Sequence, residues 1–166
     1  MTYPAVIDSS TLIALVRGGV LVHLGQFFQP LFMGSGAEKE CRRRPPIDAA
    51  LNQAQAANQI QLTVVNLISR SRVYNPNLSP EDIEGIEIAL ARSAVLLTQD
   101  DLQEIEALNA GVQVVLGTFD LLEGFKRRGV IPLIRPVLEQ MERNGEHYPR
   151  SEKNRLLRRV NERPIP

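Results

Sequence analysis

Apolar residues along this 166-residue chain fall into short runs separated by stretches of helical periodicity. Residues 4–8, 30–34, 60–65, 94–100 and 112–118 are the short runs, and each predicts a strand. Helices are predicted over 11–17, 20–29, 35–43, 48–58, 80–93, 101–109, 119–128, 136–144 and 151–161. Gly18-Gly19, Gly111, Gly129 and Gly145 close four of them, and Pro45-Pro46 stops the helix over 35–43. Asp48 is the expected cap of the next helix. Ser79, Pro80, Glu81 and Asp82 open the clearest helix, with a capping hydroxyl, a proline in the first turn and acids at the positive end of the dipole. Residues 69–77 read as a polar connection. Nearly continuous apolar strands, each followed by a helix, call for a mostly parallel sheet covered on both faces. The expected fold is therefore α/β: a three-layer α/β/α sandwich around a four- or five-stranded parallel sheet.

The length suits one domain with its own core. Residues 1–145 carry the α/β pattern, and 146–166 read as a basic helical extension of it. One cysteine, Cys41, allows no internal disulfide, which fits a reducing compartment. No apolar run approaches the roughly 20 residues of a membrane span, and the first residues lack the zones of a signal peptide. The expectation is a cytoplasmic protein with no membrane association.

The formal net charge of zero conceals a segregation. Eight acids stand between Glu81 and Glu106 against Arg92 alone, whereas six bases follow from Arg150 onward against Glu152 and Glu162. Either these are two solvated faces, or an acidic centre is served by basic arms for a polyanion.

Ligands of open α/β sheets bind at the carboxyl ends of the strands. The first run ends in Asp8-Ser9, the fourth in Asp100-Asp101 and the last in Gly117-Thr118. Asp8 is either a helix cap or a site residue. Asp82 lies at the upper end of the stripe Ile83, Ile86, Ala89 and Leu90, where it serves either a capping box with Ser79 or the site. Glu84 and Glu87 fall roughly opposite and are expected to face water. Glu40 is either a surface glutamate or a fourth acid. His23 and His147 are expected to be structural or exposed, and Cys41 has no partner that suggests catalysis.

These acids, in the segments "VIDSSTLI", "GAEKEC", "LSPEDIEGIEIALA" and "LLTQDD", resemble the four of the PIN-domain nucleases, in particular a bacterial and archaeal branch of predicted nucleic-acid-binding PIN proteins. The resemblance runs from Val6 to about Gly145 and includes the strand, Gly-Thr and helix of "GVQVVLGTFDLLEGFKRRGVI". Two positions depart from it: Glu81-Asp82 replaces a glycine and glutamate, and Phe119-Asp120 replaces small or aliphatic residues. The resemblance implies a metal-dependent endoribonuclease with Asp8, Glu40, Asp82 and Asp100 as its acids. Clustered carboxylates repel one another, and Mg²⁺ or Mn²⁺ relieves that repulsion with oxygen ligands and retained waters. Asp8, Asp82 and Asp100 are the expected metal ligands, with Glu40 acting through a water or a second ion. Ser9 and Thr118 are candidates to hold a metal-bound water or a phosphate oxygen. Asp101 is an auxiliary acid or, more in keeping with its place, the N-terminal acid of its helix.

RNA is the expected partner, with Arg42, Arg43 and Arg44 as phosphate contacts. Few aromatics and no tryptophan make base stacking an unobvious mode. A toxin–antitoxin role would add a small antitoxin protein, and a homodimer is expected. Leu156, Leu157 and Val160 form an apolar face on the basic C-terminal helix that docks on its own domain, a second copy or such a partner. A haloacid-dehalogenase-like phosphatase would need an aspartate where Ser10 stands. The alternative function is a catalytically silent PIN-fold module for nucleic acid or protein.

Overall fold

The computed structural model describes residues 1–67 and 72–166. Five strands form one sheet: β1 (Tyr3–Ile7), β2 (Phe28–Gly34), β3 (Leu62–Val65), β4 (Val95–Leu97) and β5 (Val115–Leu116), in the order β3-β2-β1-β4-β5. Every neighbouring pair is parallel. Helices α1 (Ser9–Arg17), α2 (Ser35–Arg42), α3 (Pro45–Ala56), α4 (Pro80–Arg92), α5 (Asp101–Ala110), α6 (Thr118–Arg127), α7 (Arg135–Arg143) and α8 (Arg150–Arg159) complete the chain. The expected three-layer α/β/α sandwich is thus found, with five strands.

Side chains alternate across a strand, and the alternation divides the core in two. Ala5, Ile7, Leu31, Met33 and Leu97 enter one cluster with α1, α3, α6, α7 and α8. Val6, Phe32 and Leu96 enter the other, with Ile83, Ile86 and Ala89 of α4 and Ala107 of α5. Both faces of the central strands are consumed, which is why they read as unbroken apolar runs.

Three local expectations change. The helix expected over 20–29 is a short 3-10 turn, Leu21–Gln26, and Phe28 and Gln29 belong to β2. Pro45 and Pro46 do not merely stop α2. They are the first residues of α3, where a missing N–H costs nothing, and Asp48 sits in the first turn rather than at the cap. Glu87 does not face water, and Glu84 is only half-exposed. Glu87 is 7% exposed and accepts from Tyr74 Oη at 2.7 Å and Arg72 at 3.3 Å, because these two residues lie against α4. Glu84 accepts from Gly36 N at 3.2 Å at the start of α2. That approach is close enough that a Cβ on Gly34 would stand 2.2 Å from Glu84 Oε1. The polar connection expected over 69–77 lies partly outside the described residues.

The basic C-terminal helix docks on its own domain. Leu156 and Leu157 are buried in the larger core and Val160 packs against it. The residues after α8 are clamped: Asn154 exchanges two hydrogen bonds with the backbone of Ile165, at 2.7 and 3.0 Å. Glu162 accepts from Ile134 N and Lys126 Nζ, both at 2.6 Å, and from Arg135 N at 2.9 Å. A carboxylate here also complements the positive end of the α7 dipole. Burial pushes the Glu162 pKa up, but these bonds outweigh burial and hold it below the usual carboxylate range.

A carboxylate whose folded pKa lies below its unfolded value adds stability that is complete above the unfolded pKa. That stability is lost as pH falls through the folded pKa. Glu162→Gln is therefore expected to melt lower at neutral pH, by the equivalent of about 1–3 kcal/mol. The gap from the natural chain should close as the solution is acidified. Thermal melts across a pH series check this; parallel curves for the two proteins would rule out Glu162 as an acid-sensitive clamp.

Candidate active site at the carboxyl edge of the sheet

The register of β1 against β4 pairs Ala5 with Val95, Val6 with Leu96 and Ile7 with Leu97. One step further along parallel strands brings Asp8 beside Thr98. Asp8 N donates to Leu97 O at 3.1 Å, so the aspartate begins where the strand's ladder ends. Its side chain does two jobs. Oδ1 accepts from Thr11 N at 2.7 Å and caps α1. Oδ2 accepts from Thr98 Oγ1 at 2.6 Å and Ser10 Oγ at 3.1 Å. Burial is the main influence on the carboxyl and raises its pKa, opposed by these hydrogen bonds.

Thr98 is 2% exposed, and its hydroxyl also accepts from Asp100 N at 3.0 Å. One buried oxygen therefore joins the first and fourth acids. Asp100 caps α5 through Gln103 N at 2.7 Å. Gln103 is fully buried, and its Nε2 donates to Asp82 O at 3.0 Å, which ties the third acid's backbone to the fourth acid's cap. The Gln103 Oε1 atom is buried without a hydrogen-bond partner among the described residues.

Glu40 joins from α2: Ser9 Oγ donates to Glu40 Oε2 at 2.6 Å, and Arg44 lies 3.6 Å from Oε1. Asp82 completes the capping box. Its Oδ2 accepts from Ser79 N at 3.1 Å while Ser79 Oγ accepts from Asp82 N at 3.1 Å. For Asp8, Asp82 and Asp100 the question of cap or site is thus not a choice between two structures. Asp8 and Asp100 are N-caps at the carboxyl ends of β1 and β4, and Asp82 is the far member of the Ser79 capping box.

A family model described as PIN domain matches residues 4–162. The chain belongs to the PIN-domain family. It is also similar in structure to a PilT N-terminus domain protein from the hyperthermophilic archaeon Sulfolobus solfataricus, at 15% identity and a TM-score of 0.47, covering 87% of this chain and 96% of that one. No curated protein matches the chain. PIN domains have a nuclease-like fold, and the family generally uses divalent metal ions and suggests nucleic-acid binding. Among the described residues no helix is long and apolar enough to cross a membrane.

The donor set of this PIN domain suits a hard cation, since it offers carboxylate and hydroxyl oxygens while the nearby Cys41 thiol is held protonated. Among the described residues, no three His, Cys, Asp or Glu side chains form a ready cage. Mg²⁺ does not require one, because it keeps several waters and is commonly held by one or two carboxylates. The Thr98 hydroxyl links the Asp8 carboxylate to the Asp100 main-chain N–H, so these two acids are neighbours along the edge.

Other expected site residues stand differently. Thr118 is buried, and its hydroxyl donates to Gln99 Oε1 at 2.8 Å rather than toward Asp8. Asp101 is exposed in the first turn of α5. Arg42 is taken up by Glu38 at 3.0 Å and Asp48 at 2.8 Å, while Arg43 lines a cavity with Lys39 and Glu40. Cys41 is buried; burial first, then Glu40 and Asp8, push its thiol up to about 12, which leaves it inert. His147 is exposed, as expected, but lines an acidic cavity beside Gln99 and Asp101. Thr98 and Gln103 are the residues that sequence reasoning missed. Thr98 stood in the quoted "LLTQDD", two residues before Asp100, the spacing of a side-chain turn. Gln103 carried no signal.

Thr98→Val keeps the shape and removes the oxygen that serves Asp8 and Asp100 together. It is expected to cost about 1–3 kcal/mol, since Asp100 N loses its partner. Urea denaturation of the two proteins measures this, and an unchanged midpoint would show that water replaces the hydroxyl without loss.

Proposed function

We propose that this PIN domain is a metal-dependent endoribonuclease that hydrolyses RNA phosphodiester bonds to leave 5′-phosphate and 3′-hydroxyl ends. The observation that supports the reading is the buried Thr98 hydroxyl, which donates to the Asp8 carboxylate and accepts from the Asp100 main-chain N–H, so that the first and fourth acids adjoin at the carboxyl edge of the sheet. Asp8 and Asp100 would hold Mg²⁺ or Mn²⁺ directly, and Asp82 and Glu40 would act on its waters. The ion, when bound, supplies charge that activates water and offsets the negative charge of an in-line displacement. Thr98 and Ser10 fix the Asp8 carboxylate, and Ser9 holds Glu40 toward the same edge. Arg43 and Arg44 flank Glu40 as phosphate contacts, with Arg44 exchanging its pairing to Glu40 for the RNA backbone.

Two features favour a second reading, the silent binding module. Glu40 is engaged by Arg44, and Asp82 by its cap. The two readings separate in one experiment. With mixed RNA oligonucleotides and Mn²⁺, the natural chain is expected to cleave and Asp8→Asn to lose at least about three orders of magnitude, as for removal of a group central to catalysis. Asparagine can still cap α1, and loss of the buried charge offsets the acceptor that Thr98 and Ser10 lose, so Asp8→Asn should remain folded in EDTA with the circular dichroism of the natural chain. Mg²⁺ or Mn²⁺ should raise the melting temperature of the natural chain alone, by mass action on the folded state. Metal-independent melting together with silence on every RNA would leave the binding module.

In the nuclease reading the cellular role is that of a toxin restrained by a small antitoxin protein. Expression in a bacterial host is expected to arrest growth, and Asp8→Asn is expected to relieve it. Equal growth with both forms would remove the toxin role.

A further inference from the structure

Beyond the acidic site, the carboxyl ends of β4 and β5 open into a cavity of about 390 Å³. Gln99 comes from the end of β4, Phe119 from α6, and Tyr148 from the segment before α8. Phe119 and Tyr148 are partly exposed, with ring centroids 4.9 Å apart and planes at 57°. Thr118 Oγ1 donates to Gln99 Oε1 at 2.8 Å, and Tyr148 Oη lies 3.3 Å from the same oxygen. The amide is thereby oriented, and its Nε2 has no protein partner among the described residues. Asp101, Glu104 and Glu152 add carboxylate acceptors to the same wall. Phe119 and Glu152 also line a smaller recess of about 160 Å³ with Arg155, Leu156 and Arg159. Arg159 is paired with Glu123 at 2.8 Å, whereas Arg155 is exposed without an ion pair among the described residues.

A cavity of this charge repels a phosphate. It suits a flat, neutral group whose edge offers both a donor and an acceptor, and its volume lies in the range of small-ligand pockets. Two ring faces supply stacking, which is tolerant of base identity. The polar groups are not tolerant. Carboxylates accept from an exocyclic amine, and an oriented amide N–H donates to a ring nitrogen or carbonyl. Cytosine, adenine and guanine meet both demands. Uracil can meet a carboxylate only through its ring N3–H, which two carbonyls flank and the carboxylate repels, so it is expected to bind more weakly than a base with an exocyclic amine. Phe119 and Glu152 are shared by both recesses, so a base in the larger one would bring a phosphate of its strand to the exposed Arg155 at the rim of the smaller.

We propose that this cavity is a nucleobase subsite of the RNA strand. It takes a base that carries an exocyclic amine, stacked on Phe119 and Tyr148, with a phosphate of the same strand on Arg155. The inference rests on the ribonuclease reading for its ligand and adds a specificity to it. The Phe119-Asp120 departure from the family pattern then has a role, since the phenylalanine supplies the platform.

The test is equilibrium binding of fluorescently labelled oligo(rC) and oligo(rU) to the full chain in EDTA, where cleavage does not interfere. Both are pyrimidines, so the comparison isolates the amine. Oligo(rC) is expected to bind about tenfold tighter. Phe119→Leu, which keeps an apolar group over the core, should weaken oligo(rC) binding by about tenfold, the loss of one stacked base. Arg155→Ala should weaken both oligonucleotides alike and flatten the salt dependence by about one phosphate contact. Equal affinity for the two sequences overturns the proposal. So does unchanged binding by a Phe119→Leu protein whose circular dichroism and melting temperature match the natural chain. Cleavage in Mn²⁺ that persists beside either result leaves the ribonuclease reading standing while the subsite falls. Absence of both binding and cleavage overturns the two together.

Discussion

A carboxylate at the end of a buried strand is the constraint around which this molecule is arranged. Asp8 leaves β1 at the point where water becomes available, yet burial still raises its pKa. Its charge is tolerable only because a backbone amide and two hydroxyls converge on it. Those donors come from the first turn of α1 and from the end of β4. The angle of α1 against the sheet and the pairing of β1 with β4 are therefore fixed at the same atoms. A shift of one residue in that pairing would carry Thr98 away and turn every side chain of the strand to the opposite core.

The two cores give the edge its rigidity. Because β1, β2 and β4 are buried on both faces, neither strand can tilt without opening a cavity on one side. Groups at their carboxyl ends are held more firmly than loop residues would be. The larger core is closed by the C-terminal helix, whose Leu156 and Leu157 fill it while Arg155 and Arg158 remain outside. The basic tail and the sheet are thus parts of one packed unit, with Lys153 paired to Glu142 and Arg159 to Glu123.

Helix capping and the candidate site draw on the same residues here. A helix start needs an acceptor for its free N–H groups, and a strand that ends in Asp or Ser-rich sequence provides one. In a parallel sheet all such starts lie on one edge. Acids placed for capping are thereby gathered, and a metal ion or a substrate can use the oxygen lone pairs that the caps leave over.

The chain's order of residues determined the sandwich, the parallel sheet and the presence of acids at the strand ends, because these follow from periodicity, capping chemistry and the handedness of crossovers, all local or topological. It also showed that the tail had an apolar face. It did not determine that Glu84 and Glu87 would be engaged, that Pro45 would open a helix, or that Thr118 would turn to Gln99. Each of those depends on which segment packs opposite, and a side chain's partner across tens of residues leaves no period in the sequence. Thr98 was legible as a turn hydroxyl beside Asp100. Its bond to Asp8, 90 residues away, was decided only when the register of two parallel strands set them side by side.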